Sequence, residues 1–376
     1  VKQVAGGFIL LIFGFLAEGL LQYYAVFQTI RAGNPDWTRI LWKSYTMETI
    51  HTIAWCMMIN GVLQGLLSLN DGHKKIRRNM IIYGILAIVV FAVTQPVWNW
   101  LKDLIPGYPF DPYNTGRDLQ RPSVGASFGE YVLKFFLLPL GGHPEPIFPF
   151  LSVAFIGNII GLQLCKEEPS KKWPKLGVIV GVLIFAFGAV FGVVADLPFD
   201  SFLPMNDFST FSRIGDGLNW RWVPWVCFIT GGQVVFVSIL FRLVEFRAKS
   251  EKFARKTQFF RRFGMVPFTL YTFHRILAMF PLWIMSLILR RDVMIDCHNL
   301  NGYASLALIG LVIVFIHFLI KGWERYNYIG SLEWMIGTIG VYVLGVPKRS
   351  KQKKKWFQWG LRNQNEVFYE VEWIDV

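Results

Sequence analysis

Long apolar runs recur along the whole chain, and they constrain its fold more than any other feature of the sequence. A helix needs about 20 apolar residues to cross the ~30 Å hydrocarbon core of a bilayer. Runs of about this length cover residues 4–30, 46–69, 79–101, 146–165, 173–195, 222–246, 264–289, 303–322 and 329–346. Backbone groups in lipid are satisfied only in helices or closed barrels, and the alternating pattern of barrel strands is missing from the sequence. The sequence therefore predicts an all-α, polytopic integral membrane bundle with about nine spanning segments.

The basic residues lie in short loops between these runs rather than on one folded face, although the formal net charge is +13. Such clusters mark cytoplasmic loops, and they occur in loops 70–79, 166–175 and 242–262. Loops 102–127 and 196–220 are rich in Pro, Gly and Asp, which suits the external side. We therefore expect a multi-pass protein of the plasma membrane, with membrane lipid and not nucleic acid as its partner.

Two stretches fit this alternation of loops only if they do not cross the bilayer completely. Stretch 128–140 is short, so it is predicted to be a re-entrant or interfacial helix. Segment 329–346 contains four glycines, and a full crossing would place the basic residues after it outside, against the positive-inside rule. Residues 1–346 are thus predicted to form a single transmembrane domain, and residues 347–376 a basic, then amphipathic, cytoplasmic tail.

Ionisable side chains inside the predicted spans are the main candidates for function, because each costs on the order of 3 kcal/mol there. They are Glu18, Glu48, His51, His274, Arg275, His317 and Glu333. Each needs either a partner or a function to be kept against that cost. The four cysteines lack the spacing of metal ligands, so no metal is expected.

His274 and Arg275 lie about ten residues into the run that starts at Gly264 on the predicted cytoplasmic side. An imidazole can exchange a proton near neutral pH, and a guanidinium can hold a phosphate or an oxyanion. The pair is therefore predicted to line an internal passage and to act in catalysis. The alternative is that the two side chains only connect neighbouring helices.

Glu48 and His51 are three residues apart near the predicted external end of a span, so they share one helix face. A carboxylate in that position can orient the imidazole, which favours an acid/base unit. The alternative is a hydrogen bond at the helix end that has no part in chemistry.

Four short motifs follow one another along the chain: 48–54, 146–151 with Gly157 and Gly161, 263–274, and 329–334. Together they resemble motifs of the transmembrane acyltransferase superfamily, in particular the heparan-α-glucosaminide N-acetyltransferase-like proteins and their bacterial and archaeal relatives. The last motif is similar to the ending of a related membrane family. Glu48 stands where the pattern has Gly, Ser331 where it has Pro, and Gly337 where it has Arg. The family's catalytic histidine lies upstream of the position of Val1, so we expect the native chain to start further upstream.

The resemblance implies transfer of an acetyl group from cytoplasmic acetyl-CoA, as co-substrate, to a sugar amine or hydroxyl at the outer face. On this hypothesis His274 is an acid/base or CoA-contacting group, Arg275 stabilises charge, and His51 with Glu48 lies near the acceptor. The basic residues expected to attract the CoA phosphates are Lys74, Lys75, Arg77, Arg78, Arg261 and Arg262.

The partners expected on this hypothesis are membrane lipid and a glycan or lipid-linked sugar acceptor, and a homodimer is possible. The alternative function is that of a non-catalytic relative, which acts as a transporter, a flippase or a membrane scaffold for a lipid-linked glycan. The basic clusters would then serve membrane topology alone.

Overall fold

The computed structural model describes residues 2–16, 47, 49–104, 127–141, 145–166, 170–195, 220, 222–244, 256–290 and 300–343. Within these ranges the regular elements are all helical, which confirms the predicted all-α fold. The α-helices are α1 (Lys2–Gly14), α2 (Thr49–Ser68), α3 (Ile76–Leu104), α4 (Phe128–Gly141), α5 (Ile147–Leu164), α6 (Trp173–Val194), α7 (Trp222–Val244), α8 (Gln258–Phe263), α9 (Pro267–Leu289), α10 (Gly302–Glu324) and α11 (Leu332–Val343). A short 3₁₀ helix, Gly72–Lys74, connects α2 to α3.

Six helices in the described part of the chain are long and apolar enough to cross a membrane: α2, α3, α5, α6, α7 and α10. A seventh candidate is α9, whose halves Pro267–His274 and Ile276–Leu289 meet at a 52° bend. The 14 residues of α4 give a length of ~21 Å, which is less than the ~30 Å of the hydrocarbon core. The chain thus has the apolar helices of a membrane protein, and the predicted count of about nine spans is not confirmed.

The described helices fall into two compact units. The middle unit contains α2 to α7, and the terminal unit contains α1 and α8 to α11. Glu18 and the predicted tail at 347–376 lie outside the described residues. That residues 1–346 form a single transmembrane domain stays a prediction.

In the middle unit, glycines bring the backbones of α6 and α7 into contact. A Cβ atom added to Gly181 would lie 2.7 Å from the carbonyl oxygen of Gly231, and one added to Gly188 would lie 2.6 Å from Cβ of Cys227. Lipid tails are as apolar as the helices, so helices associate in a membrane largely through such close packing of small residues. A larger side chain at these positions would force the two helices apart.

Hydrogen bonds between side chains connect other helices of the middle unit. Nδ2 of Asn158 in α5 donates to Oδ1 of Asn60 in α2 at 2.8 Å. Nε1 of Trp222 in α7 donates to Oε1 of Gln95 in α3 at 3.0 Å. Polar side chains in an apolar environment require such partners, so these bonds fix which face each helix turns inward.

In the terminal unit, α9 packs against α10 and α11, and α1 packs against α11. The buried core beside the start of α9 contains Val266, Ile316, Ile320 and Tyr328. Pro267 occupies the first turn of α9, where its missing N–H costs no helical hydrogen bond. This packing brings the start of α9 to the start of α11.

Candidate functional site

The N-terminal ends of α9 and α11 meet around one carboxylate, that of Glu333. Its Oε1 accepts the backbone N–H groups of Phe268 at 2.6 Å and Thr269 at 3.2 Å. Its Oε2 accepts the hydroxyl of Thr269 at 2.7 Å. The same hydroxyl accepts the N–H of Leu332, the first residue of α11, at 2.8 Å. Each helix therefore caps the start of the other.

This reciprocal cap explains how Glu333 is kept in an apolar segment. The first N–H groups of a helix have no acceptor within the helix, and Val266 before α9 makes no side-chain capping bond. Glu333 supplies the acceptor for the N–H groups of Phe268 and Thr269. Sequence reasoning misses Thr269, although the lack of a Ser, Thr, Asp or Asn before Pro267 indicates that α9 is capped from elsewhere.

His274 lies at the bend of α9, seven residues after Pro267 and thus ~10 Å along the helix. Its Nδ1 forms a hydrogen bond with the backbone carbonyl of Tyr271. A carbonyl only accepts, so Nδ1 carries the hydrogen, and Nε2 of a neutral ring keeps its lone pair. In a straight helix the N–H of Arg275 would donate to the Tyr271 carbonyl. The His274 ring competes for this carbonyl, and such competition by a side chain is a known cause of helix bending.

The exposure of His274 makes this lone pair accessible. The side chain is exposed, and its ring lies 5.7 Å from the ring of Tyr271, measured between centroids. The backbone of Arg275 belongs to α9, but its side chain lies outside the described part of the structure. The predicted joint action of His274 and Arg275 therefore stays a prediction.

His51 lies in the first turn of α2 and is 1% exposed, so a reactant has no access to it in this conformation. The hydroxyl of neighbouring Thr52 donates to the carbonyl of Glu145, and the N–H of Glu145 donates to the carbonyl of Met47 at 2.9 Å. These bonds hold the segment before α5 against the start of α2. Glu48 lies outside the described residues, so its pairing with His51 stays a prediction.

Arg78, one of the predicted CoA-binding residues, lies in the first turn of α3 and has a structural role at the connection to α2. Its guanidinium donates to the carbonyl of Leu67 at 2.8 Å and to Oδ1 of Asn79 at 2.9 Å. A Cβ atom on Gly72 would overlap the same Leu67 oxygen, so the connection between α2 and α3 requires glycine there. Arg78 therefore closes the C-terminal end of α2, where carbonyls lack helical donors.

The other three basic residues of turn 70–79, which connects α2 to α3, are more available to an anion. Lys74 forms an ion pair with Asp71 at 3.2 Å, and both side chains are 70% exposed. Such an exposed pair contributes little to stability and is easily replaced by another anion. Lys75 and Arg77 are exposed as well. The turn thus presents a basic surface whose geometry Arg78 maintains.

In the terminal unit, Arg262 is engaged in a largely buried ion pair. Its Nε donates to Oε2 of Glu324 at 2.9 Å, and the two side chains are 13% and 11% exposed. The pair connects α8 to the end of α10. Neighbouring Arg261 is partly exposed. Arg262 therefore has a structural partner in addition to its predicted role at CoA.

The predicted site residues are distributed over both units. His274, Arg275, Arg261 and Arg262 belong to the terminal unit, whereas His51 and the basic residues of turn 70–79 belong to the middle unit. Within the terminal unit, the capped start of α9 and the exposed His274 share one helix. This helix start is the candidate site.

The helices and this site define a class, that of all-helical membrane proteins with an accessible histidine in an apolar helix. Comparisons with known proteins add no narrower assignment, because no protein-family model, no curated protein and no solved structure matches the chain. The resemblance to transmembrane acyltransferases stays a prediction that depends on the sequence motifs.

Proposed function

We propose that the chain is a multi-pass membrane acyltransferase, which moves an acetyl group from cytoplasmic acetyl-CoA to a sugar amine or hydroxyl at the outer face of the plasma membrane. The observation that carries the proposal is the His274 ring, which is exposed within an apolar helix and keeps the lone pair of Nε2. In this proposal the chain crosses the membrane about nine times, and α4 is a re-entrant or interfacial helix.

The contact of His274 favours chemistry over a role in connecting helices. A connecting histidine directs a ring nitrogen to a neighbouring helix, whereas the hydrogen bond of His274 stays within α9. That bond fixes the tautomer and the orientation of the ring, as the orienting group of a catalytic histidine does. Nε2 is then the nitrogen that can accept a proton.

The reaction assigned to His274 is general-base catalysis of acyl transfer. The acceptor's amine or hydroxyl attacks the thioester carbon of acetyl-CoA, so a C–N or C–O bond forms and the C–S bond breaks. The acceptor's proton passes to Nε2 of His274 and from there to the departing CoA thiolate. Arg275, the next residue, is proposed to stabilise the oxyanion of the tetrahedral intermediate.

The basic residues proposed to hold the CoA phosphates fall into two groups by their contacts. Arg78 and Arg262 already donate to protein oxygens, so their guanidinium groups are partly committed. Lys75 and Arg77 are exposed, which makes them the stronger candidates for phosphate contact. The proposal therefore assigns the first contact with CoA to turn 70–79.

The function is tested with the purified protein in lipid nanodiscs, incubated with radiolabelled acetyl-CoA and a panel of sugar amines and glycans. We expect an acetylated acceptor, and a rate about 10²–10⁴-fold lower in His274→Ala, because a general base contributes about that factor. His274→Asn is the sharper variant, since its amide can still donate to the Tyr271 carbonyl while the base is lost. It is expected to be as inactive as His274→Ala.

The matched control is His317→Ala, which removes a half-buried histidine from another apolar helix of the same unit. It is expected to keep the wild-type rate once the amount of folded protein is equalised. Failure of the intact protein both to transfer acetyl groups and to bind acetyl-CoA would refute the enzyme proposal. An equal loss of activity in His317→Ala would show that His274 has no specific role in catalysis.

A further inference from the structure

The middle unit contains a cavity of about 400 Å³ among α3, α5, α6 and α7. Its volume is in the range of ligand sites, which is about 300–1,000 Å³. The walls are apolar side chains, among them Phe91, Ile156, Ile184 and Val226, and the exceptions are Ser152, Cys227 and Thr230. The cavity takes no part in the function proposed above.

The lining residues lie well inside their helices. Leu183 and Ile184 are at the middle of α6, and Ala87 is eleven residues after the start of α3. Thr230 is eight residues after the start of α7, a rise of ~12 Å. All four helices are candidate spans, so the cavity lies at the depth of the lipid chains.

The cavity opens sideways, toward the outside of the helices. Ile88 of α3 is 71% exposed, and Leu183 and Phe187 of α6 are 63% and 53% exposed, yet all three line the cavity. In a spanning helix such apolar exposure faces hydrocarbon. The mouth is therefore flanked by α3 and α6 and is reached from the lipid.

The cavity offers few polar groups to a water molecule. A buried water needs two to four polar partners. The Ser152 hydroxyl already donates to the carbonyl of Pro149 at 2.7 Å. Thr230 is 4% exposed, and its hydroxyl has no hydrogen-bond partner among the described residues. Walls so poor in polar groups favour an apolar occupant over water.

We infer that this cavity binds one hydrocarbon chain of a membrane lipid, which enters sideways between α3 and α6. A protein helix is about 10 Å wide and does not fit in a cavity of this volume. A chain already present in the bilayer has the right chemistry and depth. The site does not rest on the acyltransferase proposal and involves none of its residues.

The test uses the full chain in nanodiscs that contain a phospholipid with a photoreactive diazirine in one acyl chain. After irradiation, the labelled peptides are mapped by mass spectrometry over a range of lipid fractions. We expect saturable labelling of α3 and α6 peptides that line the cavity. Leu183→Trp places a larger ring at the mouth and is expected to lower this labelling about tenfold, because it occupies the space of the ligand.

The matched control is Val182→Trp, the neighbouring residue, which is 53% exposed and does not line the cavity. A second pair, Ala87→Trp inside the cavity and Ile85→Trp outside it on α3, repeats the comparison at the opposite wall. Melting temperatures identify any variant that is not folded, and His274→Ala is expected to label as wild type. Labelling that rises linearly with lipid fraction, or that is equal in Leu183→Trp and Val182→Trp, would overturn the inference.

Discussion

At the scale of single residues, Glu333 and His274 show two ways of keeping an ionisable side chain in an apolar segment. Both carboxylate oxygens of Glu333 accept hydrogen bonds from the start of α9. His274 uses one ring nitrogen within its own helix. Because the cost of a polar group in lipid is offset by its partners, Glu333 is structural. The proposed function assigns the second nitrogen of His274 to a reactant.

Glu333→Ala leaves the N–H groups of Phe268 and Thr269 without their acceptor. We expect it to lower the free energy of unfolding by about 1.5–3 kcal/mol, the usual contribution of hydrogen bonds to a charged group. Glu333→Gln keeps one acceptor oxygen and is expected to lose less. Thermal unfolding in detergent micelles measures both variants. A wild-type melting temperature for Glu333→Ala would contradict the reciprocal cap.

Arg77 and Arg78 are adjacent and exposed, but only Arg78 bonds to the end of α2 in the described structure. We expect Arg78→Ala to lower the melting temperature, because the Leu67 carbonyl loses a charged donor worth about 1.5–3 kcal/mol. Arg77→Ala is expected to melt as wild type and to weaken acetyl-CoA binding. Isothermal calorimetry and thermal unfolding separate the two effects. Equal destabilisation by both variants would refute this division of roles.

At the scale of helices, glycines let the backbones of α6 and α7 approach each other closely. Three glycines face α7, and their spacing in the sequence places them on one side of α6: Gly177, Gly181 and Gly188. Gly231 completes the contact from α7, since a Cβ atom there would lie 2.6 Å from the Gly181 oxygen. The cavity begins beside this pair, at Val180, Leu183 and Ile184. The tight pair is therefore one wall of the proposed lipid site.

Gly231 and Gly232 provide a matched test of this contact. A Cβ on Gly231 would also lie 2.9 Å from the backbone nitrogen of Phe185, whereas one on Gly232 has no atom within 4 Å. We expect Gly231→Ala to destabilise the protein by about 1–3 kcal/mol through overpacking. Gly232→Ala should be neutral or stabilising by about 0.5–1 kcal/mol, because alanine favours the helix. Similar melting temperatures for the two variants would show that α6 and α7 are not in contact.

At the scale of the whole molecule, hydropathy predicts the helices, because the thickness of the bilayer sets the length of an apolar run. This length does not depend on which helices pack beside it. Runs 173–195 and 303–322 match α6 and α10 to within two residues. Hydropathy does not predict which face of a helix packs against its neighbours, because the buried and exposed faces are both apolar. In α6 only 22% of the apolar window is buried, and in α10 only 11%. The bond between Glu333 and Thr269, 64 residues apart, and the cavity depend on those faces. They emerge only from the three-dimensional packing.

In the proposed function, an acetyl group crosses the membrane with the help of His274. Sealed proteoliposomes test it most directly, with radiolabelled acetyl-CoA on the side of turn 70–79 and a sugar amine on the opposite side. We predict that acetylated sugar accumulates on the acceptor side with the wild-type protein and not with His274→Asn. Product that forms only when both substrates are on the same side, or equally well with His274→Asn, would contradict the account.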